Sequence, residues 1–210
     1  MAEIHKVESK FTLAQAGIVR SDESESGDVR TALRILGEEV GRRIAERYYI
    51  EDHSIVTPVR DEMTVPIFVS RTSAVVTTKE DLDPFGAAVA SVLRPAALGY
   101  MNFEGRRGVS ALREPIREIE LPDLDSPIDF LVVAKAVLAT GCTAVSLTKT
   151  AVQEYAPDKV VVASAFYSIN GVHELLQAFP HSSIFVVGEP DEMDGNGILH
   201  PGVGLLDERI

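Results

Sequence analysis

From residue 128 onward the chain alternates short, uninterrupted apolar runs with amphipathic stretches: 128–133, 159–164 and 184–187 against 143–155 and the segment after Ser168. A strand that is apolar at every position, not every second one, must be covered on both faces. Strands of that kind joined by helices build a parallel α/β sheet with helices packed on either side. In such sheets a ligand sits beyond the carboxyl ends of the strands, near the point where strand order reverses.

The first half reads less regularly. A polar run, 21–28, precedes a helix capped by Asp28, with Ala32, Leu33, Leu36, Val40 and Ile44 on one face. Two β-rich runs, 54–59 and 64–69, each hold a proline (Pro58, Pro66) and read as an edge hairpin. Residues 74–78 form a strand. Asp83-Pro84 opens a helix to about Leu93, and a strand follows over 96–101. Residues 102–127 are charged and irregular, as in a functional flap or an interface arm. The organisation is one domain over 1–210, with an N-terminal helix and hairpin arm (1–70) and a flap (102–127).

Composition narrows the partners. The 210 residues carry a net charge of −12, which repels nucleic acid and anionic membrane, so neither is expected. A phosphorylated ligand would therefore be held locally, by backbone N–H groups. Cys142 is the single cysteine and excludes an intrachain disulfide, and the charged first ten residues do not resemble a signal peptide; a cytoplasmic setting is expected. His5, His53, His173, His181 and His200 show no metal-ligand spacing, so no zinc site is expected.

One segment carries chemistry. Residues 131–143 form a buried strand, then a small-residue turn with Thr140-Gly141, then a helix beginning near Cys142-Thr143. That geometry aims several N–H groups at one point on the positive end of a helix, and Thr140 and Thr143 add hydroxyls. It suits a phosphate dianion, although an ordinary strand–turn–helix corner has the same outline.

This stretch resembles the uracil phosphoribosyltransferases, which read approximately D-P-M-L-A-T-G-G-S where this chain has Lys135-Ala136-Val137-Leu138-Ala139-Thr140-Gly141-Cys142-Thr143. Leu13–Arg20, Asn170-Gly171-Val172 and His181-Ser182-Ser183-Ile184 resemble further family segments, and 197–210 resembles the family's G-Y-I-x-P-G-L-G-D-A-G-D-R. The resemblance spans nearly the whole chain. It implies a phosphoribosyltransferase-type α/β fold and a pentosyltransferase that makes a pyrimidine nucleotide. It also implies assembly as a homodimer or higher oligomer, and magnesium, although the residues themselves fix no cofactor. It assigns the 5′-phosphate to Ala139, Thr140, Gly141, Cys142 and Thr143, base recognition to Leu199, His200 and Gly204, and the donor phosphates to Arg106 and Arg107 of the flap.

Against that pattern the chain departs at three places. The acid that faces the ribose hydroxyls aligns with Lys135, a donor that cannot accept. The pyrophosphate loop P-I-L-R-A-G-L-G aligns with 75–84, which lacks the Arg-Ala-Gly core and adds Glu80, Asp81 and Asp83. Leu205 stands where the family has an aspartate. The expected ligand is thus a ribose 5-phosphate or pyrimidine nucleotide, with altered glycosyl transfer; the alternative is a catalytically silent nucleotide-binding homologue. Lys135 has three readings: an ion pair with Asp191, Asp194 or a flap acid; a cation standing in for the metal; or an imine-forming amine toward open-chain ribose 5-phosphate. Arg106-Arg107 either reach the donor or bond flap acids. His200 either touches a base or lies on the surface. Cys142 reads as a small loop residue, and Asp207-Glu208 as a relocated acid pair or a solvated tail.

Overall fold

The computed structural model describes residues 3–106, 108–125 and 127–210. In chain order it runs β1 (Glu3–Val7), α1 (Lys10–Arg20), α2 (Ser26–Tyr48), β2 (Ile50–Val56), β3 (Glu62–Phe68) and β4 (Ser73–Thr78). A π turn (Leu82–Gly86) leads into α3 (Ala87–Leu93), β5 (Ala97–Asn102), α4 (Val109–Arg113) and β6 (Glu118–Glu120). Then come β7 (Phe130–Ala134), β8 (Val137–Leu138), α5 (Cys142–Tyr155), β9 (Lys159–Ser164), β10 (Phe166–Tyr167) and α6 (Ile169–Ala178). The chain closes through β11 (Ser183–Val187), β12 (Glu192–Met193), β13 (Leu199–His200) and a 3-10 turn (Leu206–Glu208).

The central sheet has the order β1-β11-β9-β7-β4-β5-β6, with β6 antiparallel to β5 and every other pairing parallel. The centres of its middle strands are apolar because both faces are buried, with Ser73, Thr77, Thr78 and Ser164 at the strand ends. Val75, Val132 and Val161 pack with the layer of α1, α2 and α3; Val76, Leu131, Val133 and Val162 pack with α5 and α6 on the other face. Each fully buried Val or Leu contributes roughly 1.5–3 kcal/mol, so this two-sided core is what holds the strand register.

The winding decides where a ligand can sit. From β4 the chain moves one way, through α3 to β5; from β7 it moves the other way, through α5 to β9 and α6 to β11. β4 and β7 are neighbours, so a crevice opens beyond their carboxyl ends.

Several local expectations change. The charged N-terminus holds two elements that its composition conceals: β1 pairs in parallel with β11, and α1 is capped by Ser9, whose hydroxyl accepts from the Thr12 N–H. β1 is an edge strand, so polar residues on its open side are tolerated. α2 begins at Ser26 with no side-chain cap; Asp28 lies inside its first turn, where a carboxylate still favours the helix dipole. Asp83 is no cap either: its backbone is extended (φ −123°, ψ 119°) and its carboxylate takes the Arg30 guanidinium at 2.6 Å. The flap is not wholly irregular. It contains α4 and β6, and the Tyr155 hydroxyl donates to Pro122 O at 2.8 Å, pinning it to α5. β2 and β3 form a separate two-stranded hairpin with Ile55, Val56, Met63, Ile67 and Phe68 exposed. Among the described residues no helix is long and apolar enough to cross a membrane.

The start of α6 lies against the turn between β8 and α5 at glycine distance. A Cβ on Gly171 would stand 2.5 Å from Ala139 O and 2.6 Å from Leu138 O. Gly171→Ala should therefore cost about 2 kcal/mol and lower Tm by roughly 4–8 °C in a thermal melt. Gly17→Ala, on the open side of α1 with nothing within 4 Å of the added carbon, should be neutral or gain about 0.5–1 kcal/mol.

Candidate functional site

Thr77 of β4 stands opposite Ala134 of β7, so the residues that follow each strand meet at the crevice. Asp81 and Lys135 form an ion pair there, 54 residues apart in sequence. The same carboxylate oxygen, Oδ2, accepts from Thr78 Oγ1 at 3.2 Å and from the Ala136 N–H at 3.3 Å. The Asp81 side chain is 4% exposed and that of Lys135 18%, so the acid is the buried partner and the lysine is the one reaching open space. A buried carboxylate of this kind is tolerated because it is fully paired.

Beyond Lys135 the chain turns through β8 and the loop 139–143. Ser168 holds that loop: its hydroxyl donates to Ala139 O at 2.6 Å and accepts from the Gly171 N–H at 2.9 Å. β8 also pairs with β10. Gly141 supplies the positive φ of 80° that starts α5, and its missing Cβ admits Gly171 O, which would otherwise be 2.6 Å away. The N-terminus of α5 has no side-chain cap, whereas α1 and α6 are capped by serines. The Cys142 N–H makes a long contact, 3.4 Å, to Thr140 Oγ1.

The third wall is the segment 194–207. The turn at Asp194 lies on the loop: a Cβ on Gly197 would be 3.0 Å from Thr140 Cγ2. Asp194 Oδ1 accepts the N–H groups of Asn196 and Ile198, both at 2.9 Å. Gly202 and Gly204 have φ of 60° and 66°, and a Cβ on Gly202 would lie 2.0 Å from Leu199 O. Two arginines clamp this segment. Arg20 bonds Asp191 and Gly202 O, both at 3.0 Å, with its guanidinium 4.9 Å from the Phe166 ring centre. Arg209 donates to Val19 O and, at 3.1 Å, to Val203 O.

These walls enclose a cavity of about 260 Å³. Of the residues singled out in the sequence, Lys135, Ala139, Thr140, Gly141, Thr143, Leu199, Gly204 and Arg106 line it. Cys142 is buried and lies outside that lining, so it stands as a small packing residue. His200 turns outward, 60% exposed, with Nε2 at 3.5 Å from Asp194 Oδ2. The Arg106 guanidinium is spent inside the flap, on Phe103 O, Glu114 and Pro115 O. Arg107 lies outside the described residues. The partners anticipated for Lys135 are engaged elsewhere, Asp191 with Arg20 and Asp194 with its own turn; its counter-ion is Asp81. Asp81 is the site residue that sequence reasoning passed over. Its signal was present, an acid three residues past one buried strand and a lysine one residue past another.

Magnesium demands oxygen ligands, above all carboxylates, in near-octahedral geometry. The bonds that Asp81 accepts already converge on one oxygen, and among the described residues no group of three or more acid, histidine or cysteine side chains is placed to hold a metal. The described residues thus form no protein-only magnesium cage; an ion of this kind is ordinarily held by one or two carboxylates together with substrate phosphates.

The family model for uracil phosphoribosyltransferase matches residues 7–210. The chain belongs to the uracil phosphoribosyltransferase family. It is 26% identical over 208 residues to a uracil phosphoribosyltransferase of Natronomonas pharaonis, covering 96% of this chain and 91% of the relative. With that of Thermococcus gammatolerans it shares 23% over 203 residues, 96% of this chain and 89% of the other. Among solved structures, the AQ2163 protein from Aquifex aeolicus superposes with a TM-score of 0.79 at 20% identity, over 98% of this chain and 96% of that one. The likeness to AQ2163 establishes the shared fold, a mostly parallel sheet between helical layers. Membership makes the chain a pentosyltransferase in kind.

The Ile198 N–H, followed by that of Asn196, holds the Asp194 carboxyl below its ordinary value, with the His200 ring adding to the same direction. A depressed folded pKa means that the bonds bracing this turn are present above the unfolded value and are lost as pH falls through the lower folded one. The amide resonances of Asn196 and Ile198 should therefore titrate with a midpoint below about 3.9. In Asp194→Ala that titration should vanish.

Proposed function

We propose that the protein binds a ribose 5-phosphate group, free or within a pyrimidine nucleoside 5′-monophosphate, with the phosphate on the loop 139–143. The observation that carries this is the uncapped N-terminus of α5. It opens into the cavity, with Gly141, Thr143 and Ala144 in the lining. Orphan N–H groups at a helix start, with the dipole behind them, are a ready anion site even in a protein of net charge −12. Thr140 and Thr143 supply hydroxyl donors beside them. The segment 197–205 faces the same space, and a planar base there meets main-chain groups and the Leu199 and Val203 side chains.

The chemistry is altered glycosyl transfer. A diphosphate leaving group needs cations where it departs; among the described residues lining the cavity, Lys135 is committed to Asp81 and Arg106 to the flap. Lys135, paired with Asp81, is a hydrogen-bond donor that positions a ligand oxygen. That same pair supports the second reading, a nucleotide-binding homologue without turnover. A homodimer or higher oligomer belongs to the proposal, and the exposed apolar side chains of the β2–β3 hairpin support it.

Two measurements test this. Labelled uracil with phosphoribosyl diphosphate and magnesium should give no UMP above background, beside an active family member as control. Ribose 5-phosphate or UMP at about a hundred times Kd should stabilise the protein by about 2.7 kcal/mol, a rise of roughly 5–10 °C in Tm. Robust UMP formation would overturn the altered-chemistry reading; no thermal shift with either ligand would overturn the binding site.

A further inference from the structure

We infer that Asp81 is a specificity determinant: a resident anion that occupies Lys135 and restricts the cavity to ligands carrying a single phosphate. This rests on the phosphate position proposed for the loop 139–143.

A second phosphoryl group would meet a lining that is already charged. The acids lining the cavity are Glu80, Asp81 and Asp207, and the bases are Arg106 and Lys135. Among the described residues the lining therefore holds one more acid than base before any ligand enters. A single phosphate is accommodated by uncharged donors, the N–H groups at the start of α5. A second has no such cradle; it needs a cation with its charge uncommitted.

Neither cation meets that need. Arg106 donates to Glu114 at 3.0 Å, to Phe103 O at 2.9 Å and to Pro115 O at 2.8 Å, so the flap itself consumes the guanidinium. Lys135 is the better placed, with 18% of its side chain exposed at the switch point of the sheet, yet its ammonium is paired to Asp81. A diphosphate would have to displace Asp81 from Lys135. Displacement strips a side chain that is 4% exposed of its counter-ion and leaves a bare carboxylate beside the incoming anion. Thr78 Oγ1 and the Ala136 N–H hold the same oxygen in place, so the carboxylate cannot swing away as the ligand arrives. The intramolecular anion is thus a permanent competitor at high effective concentration.

The pair does not obstruct a monophosphate. Its position beyond β4 and β7 leaves the loop 139–143 open, and Lys135 retains donor hydrogens for a neutral sugar hydroxyl. The substrate class that follows is the singly phosphorylated ribosyl compound. The binding needs no metal, because no diphosphate charge has to be bridged.

The test uses the full chain, isothermal titration with inorganic phosphate and inorganic pyrophosphate as probes, and chelator to exclude divalent ions. In the wild type, phosphate should bind and pyrophosphate should bind no tighter. Asp81→Asn keeps the shape of the side chain, removes its charge and releases Lys135; the preference for pyrophosphate over phosphate should rise by about tenfold or more, a change of at least about 1.4 kcal/mol. Adding Lys135→Met to Asp81→Asn should abolish that gain. Wild-type protein that binds pyrophosphate tenfold tighter than phosphate overturns the inference without any variant, so a poorly folding Asp81→Asn does not protect it. An unchanged preference in a folded Asp81→Asn also overturns it. Failure of the wild type to bind phosphate or ribose 5-phosphate at all would instead sink the underlying loop assignment, and the two failures are separately readable.

Discussion

The reversal of winding between β4 and β7 is the constraint on which the site depends. A parallel sheet covered on both faces leaves its strand ends as the place where polar groups can gather without interrupting a core. Only where neighbouring connections leave in opposite directions do those ends stay uncovered. In this chain the two strands flanking the reversal are apolar up to Thr77 and Ala134, and the first charges after them are Lys79 and Lys135. Lys79 turns to Glu118 on the flap side, so the crevice floor is left to Lys135 and its partner Asp81.

The remaining walls are fixed by backbone approach and by clamps more than by side chains in the cavity. Gly141 and Gly171 let the loop 139–143 and the start of α6 touch through their main chains, and Ser168 bridges the two. Nearly every donor at the loop is thereby positioned by a second element. The far wall is tied to the N-terminal helix through Arg20 and Arg209, which reach carbonyls on segments about 180 residues away. Flanking segments that bind no ligand thus govern the geometry of ones that would.

How much of this could be read in the sequence follows from which interactions are local. The core strands, α5, α6 and the Thr140-Gly141 turn are visible because uniform apolarity, a serine cap and a glycine at a helix start are signals within a few residues. β1 and α1 are hidden because one is an edge strand with polar residues and the other buries only Thr12, Ala16 and Val19. The Asp81–Lys135 pair is hidden for a different reason. Each residue looked anomalous alone, an acid in a loop expected to meet anions and a lysine in place of an acid. The anomalies cancel only when β4 and β7 are placed side by side. His200 and Arg106 show the converse: both sit in the right segments, but segment membership does not aim a side chain, and each found a nearer partner.

Reversing the sign of charge at two positions is not equivalent to deleting function. A lysine beside the loop 139–143 is tolerated in this chain because an acid from the neighbouring loop, Asp81, pairs with it. In this chain the buried member is the carboxylate and the exposed member the ammonium. The cavity therefore presents donors on two sides: N–H groups at α5 and the Lys135 head. A ribose 5-phosphate offers acceptors at both places, with the phosphate at one end and sugar oxygens at the other. Under the proposed binding mode the loop 139–143 and the Asp81–Lys135 pair are parts of one arrangement, the loop facing the phosphate and Lys135 the sugar oxygens.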